Sequence, residues 1–295
     1  MSSSISIAVL AGLGGMVGWG TADFFAKKTI DRIGDITSLF WGQLLGIIPL
    51  GVLFFATGRN LPQLSGREPI YLLLLGVFSG LTYIPTYIAF GKGKLSLISP
   101  IFASYSAVVA LLAAAILKEQ LSLHQQYAII LVFVGIVLIS TSPVDLFKLA
   151  KSRSKHKADG VPEILMAVVT YSFWLIGLDA FIKGKDWVPV LLVIRILSTL
   201  SLGIYAFATK RKLLFKNKSV WKYLPAIGLF DVGAFAAVSY GYSMTNHVAI
   251  ITVLAATFSV PTIILAKLFL KEKITPLQTL SALTILVGVA IVSAG

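Results

Sequence analysis

IFASYSAVVALLAAAILKEQLSLHQQYAIILVFVGIVLIS, residues 101–140, returns 153 positions later as LAATFSVPTIILAKLFLKEKITPLQTLSALTILVGVAIVS, residues 254–293. The second stretch is a diverged copy of the first, in register without a gap. Leu117-Lys118-Glu119 becomes Leu270-Lys271-Glu272, Gln125 becomes Gln278, Val134-Gly135 becomes Val287-Gly288 and Ser140 becomes Ser293. The polar matches weigh most, because the chain has only four glutamates and two of them share one repeat position. Each copy is a pair of apolar runs joined by a short polar turn. The chain therefore reads as a tandem duplication.

Composition says where such a chain lives. Hydrophobic residues make up 57% of it and charged residues 13%, about half the charge of an ordinary soluble domain, and mean hydropathy is +0.90. Apolar runs of about twenty residues are long enough to cross a bilayer as helices, whereas barrel strands would read as alternating segments of about ten. The expected fold is an all-α membrane protein. The net charge of +13 comes from basic residues in short loops between apolar runs, where Lys and Arg set orientation, so no nucleic-acid partner is expected. Met1 to Ser4 carries no basic residue before the first run, which argues against a cleaved signal peptide. The absence of cysteine excludes disulfides, thiolate metal sites and thiol nucleophiles.

Ten transmembrane spans are expected, at about 5–26, 35–57, 69–90, 96–117, 123–142, 162–182, 187–208, 222–244, 248–270 and 276–294. The longest polar interval follows Pro143 and holds Lys148, Lys151, Arg153, Lys155 and Lys157. It divides the chain into a first five-helix repeat (1–142), a basic linker (143–160) and a second five-helix repeat (161–295). Because five is odd, the second repeat enters the membrane from the opposite face, and the two become an inverted pair about an axis in the membrane plane. With short gaps the register extends upstream: Leu75-Gly76 meets Ile227-Gly228, Leu50-Gly51 meets Leu202-Gly203, Trp19 meets Trp174, and Gln43 falls opposite Arg195. Glycines crowd the first span at Gly12, Gly14, Gly15, Gly18 and Gly20, as close helix packing requires. Pro85, Pro100 and Pro261 interrupt spans and are read as kinks.

The Gly18-Trp19-Gly20 of the first span, the Leu-Lys-Glu closing spans four and nine, and the five-plus-five layout together resemble the EamA-like branch of the drug/metabolite transporter superfamily. The family's proline eleven residues before the glutamate is present at Pro261 for Glu272, but Val108 stands there for Glu119 and Pro100 appears instead. The resemblance covers essentially the whole chain. It implies a carrier for small metabolites, with a central cavity between the halves and alternating access. It names no single substrate.

Charge within hydrocarbon costs about 2.5–3.5 kcal/mol per residue on insertion scales, so intramembrane ionisable groups are the first candidates for function. Arg195 and Asp231 lie deepest. They differ by about 8 Å in depth at 1.5 Å per residue, and either pair as a packing device or face a substrate. Arg195 suits a carboxylate or phosphate through its two parallel donors; Asp231 suits an amine or a coupling proton. Gln43, Tyr83, Tyr87, Tyr105, Tyr240, Trp19 and Trp174 complete the candidate substrate-binding set. Asp23 and Asp179 follow the two aligned tryptophans near span ends, and read either as interfacial carboxylates paired with Lys27 and Lys183 or as gating residues. Glu119 and Glu272 read as helix-end salt bridges or packing residues.

No metal-ligand cluster, nucleophile elbow or phosphate loop is present in the sequence, so neither an enzyme nor a cofactor nor a metal site is expected, and transport would draw on a gradient or on exchange. The leading reading is a secondary transporter of a small polar metabolite, amino-acid-like or an organic anion, with a coupling proton or counter-substrate as further partner. A sugar or sugar-phosphate permease is the alternative within transport, and a non-transporting membrane scaffold or receptor the alternative outside it. Orientation follows from loop charge. Placing the loop after span one inside gives 19 basic residues inside against 5 outside, so both termini are expected outside a cell membrane that the chain crosses many times.

Overall fold

The computed structural model describes residues 3–116, 122–140, 159–245 and 247–293. Lys118, Glu119 and residues 143–158 of the basic linker lie outside them. Twelve α-helices are described: α1 (Ser3–Ile33), α2 (Asp35–Ala56), α3 (Glu68–Lys92), α4 (Leu95–Ala103), α5 (Tyr105–Ile116), α6 (Leu123–Ser140), α7 (Val161–Ile182), α8 (Trp187–Ala208), α9 (Leu224–Met244), α10 (Val248–Ala256), α11 (Ser259–Phe269) and α12 (Pro276–Ser293), with a 3-10 turn at Lys218–Lys222 before α9. There is no strand among the described residues. Eight stretches are long and apolar enough to span a membrane, and two shorter apolar helices, Leu123–Leu138 and Pro276–Ile291, complete the ten.

Local sequence explains the ends. Proline occupies the first turn of α3, α7 and α9, where its missing N–H goes unneeded. Gly34, at φ +85°, separates α1 from α2, a left-handed conformation that glycine adopts freely. The repeated glutamine has a structural cause. Ser122 N donates to Gln125 Oε1 at 2.9 Å and Gln125 N to Ser122 Oγ at 3.2 Å, and Thr275 with Gln278 makes the same reciprocal cap at 3.0 and 3.2 Å. Both are capping boxes.

Spans four and nine, expected as continuous helices, are each broken in two. The break falls at Ser104 in the first half and Thr257 in the second, one repeat register apart. Both breaks carry the same hydroxyl contact. Ser104 Oγ donates to the Ile101 carbonyl at 2.5 Å and Thr257 Oγ1 to the Leu254 carbonyl at 2.8 Å, which offers the backbone a tighter turn in place of the α ladder.

Packing exchanges the halves. α1 lies against α9 as α7 lies against α3; α2 packs on α9 as α8 packs on α3. This reciprocity marks two inverted repeats. It is sharpest where α6 crosses α12. A Cβ on Gly135 would stand 3.1 Å from both Ile285 N and Ser281 O, and one on Gly288 would stand 3.1 Å from Val132 N and 2.9 Å from Ala128 O. Ala128, Val132 and Gly135 are the repeat equivalents of Ser281, Ile285 and Gly288, so the contact is self-complementary and the pseudo-twofold axis runs through it. Outward-facing apolar side chains such as Phe55, Ile204 and Phe207, all more than two-thirds exposed, have the bilayer for solvent.

Candidate functional site

The buried polar side chains of the bundle are mostly hydroxyls, and a buried ion pair is built around one arginine. Arg195, eight residues into α8, is carried inward by a close crossing of α2 and α9. Gly46 and Gly228 meet there: a Cβ on Gly228 would come within 2.6 Å of the Gly46 Cα and N, and one on Gly46 would come 3.1 Å from Arg195 Nη1. Arg195 Nη2 donates to Asp231 Oδ2 on α9, and Nη1 donates to Gln43 Oε1 on α2 at 2.8 Å. The depth difference between Arg195 and Asp231 is thus closed directly, by the length of the arginine side chain. Both partners are largely buried, at 11% and 18% side-chain exposure.

Two small cavities flank the guanidinium. One, of ≈ 50 Å³, is walled by Arg195, Asp231, Gln43, Asp23, Tyr83, Thr86 and Tyr87, among others. The second, of ≈ 30 Å³, is walled by Arg195, Gln43, Tyr83, Ser79 and Trp174 with Leu50, Leu191, Ile194 and Phe235. Trp174 is fixed by its Nε1–H, which donates to the Leu75 carbonyl at 3.0 Å. Six of the nine expected substrate-binding residues therefore converge here: Arg195, Asp231, Gln43, Tyr83, Tyr87 and Trp174.

Three do not. Tyr240 is 57% exposed and lines neither cavity, because its α9 face points away from Asp231. Tyr105 sits one layer out, its ring 5.0 Å from that of the buried Tyr171, which in turn packs 5.9 Å from Tyr83. Trp19 is likewise one ring removed and meets Phe235 edge-on at 5.2 Å.

The sequence puts Asp23 near the end of a 5–26 span; in the structure it lines the inner cavity beside Arg195, on an α1 that continues ten residues further, to Ile33. An Asp23 oxygen is 3.5 Å from Ser99 Oγ. Lys27 pairs with Asp31 at 2.9 Å instead. Asp179, by contrast, is an exposed carboxylate paired with Lys183 at 3.0 Å, so the two aspartates do not form an equivalent pair. Among the described residues Glu272 makes no helix-end salt bridge. It accepts from Leu95 N and Ser96 N, both at 2.9 Å, and from Ser96 Oγ at 2.6 Å, capping α4 across the two halves.

Sequence reasoning missed Ser79 and Thr86. Ser79 was within reach, since the register that aligns Gly76 with Gly228 sets it opposite Asp231. Thr86 carried no such signal. A larger groove of ≈ 780 Å³ runs between α3 and α7, lined by apolar side chains and closed at one end by the Glu68–Lys185 ion pair, but it faces outward, away from Arg195. Among the described residues no cluster of His, Cys, Asp or Glu could hold a metal.

A helical bundle that crosses the membrane many times and builds an arginine–carboxylate centre at the meeting of two inverted repeats has the organisation of a membrane transporter of the drug/metabolite type. The chain belongs to the EamA-like transporter family, whose profile matches residues 6–141 and 160–294. It is similar to the uncharacterized protein MJ1333.1 of Methanocaldococcus jannaschii, 28% identical over 135 residues that make up 46% of this chain and 97% of that one. It shares its fold with a protein of known crystal structure at a TM-score of 0.64 and 16% identity, over 97% of this chain and 96% of the other.

Proposed function

We propose that the protein is a secondary carrier for a small polar metabolite bearing a carboxylate or phosphate, amino-acid-like or an organic anion, which moves by alternating access and is driven by a gradient or by exchange. The observation that carries this reading is the arginine at the pseudo-symmetric centre, which lines both inner cavities. A guanidinium has five N–H donors, and two of them are engaged by described residues, on Asp231 and Gln43. The others are available to an anion, and their planar fork matches a carboxylate or phosphate. A sugar would be served by amides and aromatics without a cation. Cavities of ≈ 50 and ≈ 30 Å³ admit guests of water size, so loading a metabolite requires the halves to part around Arg195. That is the movement alternating access needs.

The halves 1–142 and 161–295 are proposed as the two rocking units, joined by the 143–160 linker. Both termini are placed outside the cell membrane and the linker inside.

A thermal-melting screen tests the reading. Carboxylates, phosphates and neutral sugars are added to purified wild type and to Arg195→Ala, and the hits are tested for uptake into proteoliposomes. An anionic ligand at a hundredfold excess over its dissociation constant raises stability by about 2.7 kcal/mol, and Arg195→Ala removes that gain and the uptake. Arg195→Lys retains little, since a point charge does not reproduce the fork. Anion binding and uptake undiminished in a folded Arg195→Ala would refute the proposal, and stabilisation by sugars alone would favour the sugar-permease reading. Ligand binding without uptake would favour a receptor.

A further inference from the structure

We infer that Asp23, in the wall of the ≈ 50 Å³ cavity that Arg195 also lines, binds a monovalent cation, a proton or a sodium ion. The cavity walls hold two carboxylates, Asp23 and Asp231, and one guanidinium. Arg195 is ion-paired with Asp231. Among the described residues no cationic nitrogen pairs with Asp23: Lys27, one turn along α1, is held by Asp31 at 2.9 Å and by the Phe90 carbonyl at 2.7 Å. A carboxylate enclosed in a membrane protein with no counter-charge demands one.

A second observation points the same way. Thr86, 2% exposed, lines this cavity, and its Oγ1 has no hydrogen-bond partner among the described residues. The Ser99 hydroxyl lies 3.5 Å from Asp23, the outer limit of a hydrogen bond. A carboxylate without a cationic partner and an unsatisfied hydroxyl in the wall of one cavity, with a second hydroxyl held loosely against that carboxylate, supply oxygens that a small cation could use. The volume suits a small cation and a water, since a water-sized guest needs about 10–15 Å³. The other charged or titratable groups facing this cavity are Tyr83 and Tyr87 from α3, Arg195 from α8 and Asp231 from α9; α2 and α4 contribute none, α10 carries none, and α11 carries only Lys267 at its exit.

A role in coupling rests on the carrier reading, because a cation at Asp23 and an anion at Arg195 would then cross together or in exchange. Binding itself does not. The test therefore uses no transport. Melting temperatures of purified wild type, Asp23→Asn and Thr86→Val are measured while sodium chloride replaces choline chloride at constant ionic strength and pH 8. They are measured again in choline chloride as pH falls from 8 to 5.5. For a sodium site the wild type melts higher as sodium rises, Asp23→Asn loses that shift, and Thr86→Val reduces it. For a proton site the wild type gains on acidification relative to Asp23→Asn, and Thr86→Val behaves as wild type. Asp23→Ser stands in should the Asn variant fail to fold. Equal responses, sloped or flat, in wild type and Asp23 variants overturn the proposal. Such a failure leaves anion binding at Arg195 untouched, while loss of the anion effect leaves this result standing.

Discussion

Gln43 and Arg195 occupy the same position in the two halves of the chain, and their side chains are hydrogen bonded to each other at 2.8 Å. A residue that touches its own repeat equivalent lies beside the pseudo-twofold axis, so the charged centre sits where the duplicated halves meet. The same register sets Ser79 opposite Asp231, and the tryptophan alignment sets Leu178 opposite Asp23. One side of the axis carries acids; the other carries a hydroxyl and a hydrocarbon.

The Arg195–Asp231 pair should show strong energetic coupling. Removing one partner from a buried pair strands the other and costs about 3–5 kcal/mol, so Arg195→Ala and Asp231→Ala each melt well below wild type. The double variant loses less than the two single losses combined. Simple additivity in chemical denaturation would show that the two do not depend on each other.

The crossing of α2 over α9 should be intolerant of a single methyl. Gly228→Ala drives Cβ into Gly46 backbone atoms 2.6 Å away, which costs about 1–3 kcal/mol by overpacking and displaces Arg195. Gly51→Ala, on the same α2 but with nothing within 4 Å of its Cβ, is the control. There the better helix former adds about 0.5–1 kcal/mol. Equal melting temperatures for the two variants would contradict the close crossing.

Glu272 should matter as a charged cap. Hydrogen bonds to an ionised group contribute about 1.5–3 kcal/mol, and Glu272→Ala loses three of them, to Leu95 N, Ser96 N and Ser96 Oγ. Glu272→Gln keeps an acceptor and falls between. Proteolysis in the Lys92–Leu95 turn, faster in the Ala variant, reports that the effect is local; an unchanged digestion rate would count against it.

Orientation is open to direct labelling because the chain has no cysteine. Single cysteines at Ser3 and Ser152 are treated in intact cells with an impermeant maleimide. Position 3 labels and position 152 is protected if the basic loops are inside. The loops assigned to one face do meet in the structure: Lys94 donates to the Lys273 carbonyl, Lys92 pairs with Glu163, and Thr37 and Trp41 bond the 212–213 carbonyls. The reverse labelling pattern would invert the sidedness of every loop together.

Spans, duplication and the central arginine could be read from the chain because each rests on composition or periodic spacing. The Gln43–Arg195 correspondence is a clear case of register: the alignment of two diverged halves paired two residues 152 apart, and the structure shows that these equivalents touch. Depth was harder to read. Asp23 looked shallow because hydropathy falls at Lys27 and Lys28, yet the helix itself runs on to Ile33, and sequence hydropathy reports the solvent rather than the backbone. The breaks at Ser104 and Thr257 escaped notice because a hydroxyl bonding three residues back leaves no mark on hydropathy. Tyr240 was misplaced for a related reason: the apolar content of α9 is spread around its circumference, so no stripe tells the inward face from the lipid face.

The crossing of α6 and α12 bears on how the two halves can shift. Each grips the other through equivalent atoms, so two opposite tilts related by the axis keep the same contact there, and the crossing is a neutral fulcrum that favours neither tilt. In the proposed carrier, any preference for one tilt over the other must then come from positions where the duplication has diverged. Asp23 and Asp231 against Leu178 and Ser79 are such positions, which would make the cation proposed at Asp23 a weight on one arm of the balance.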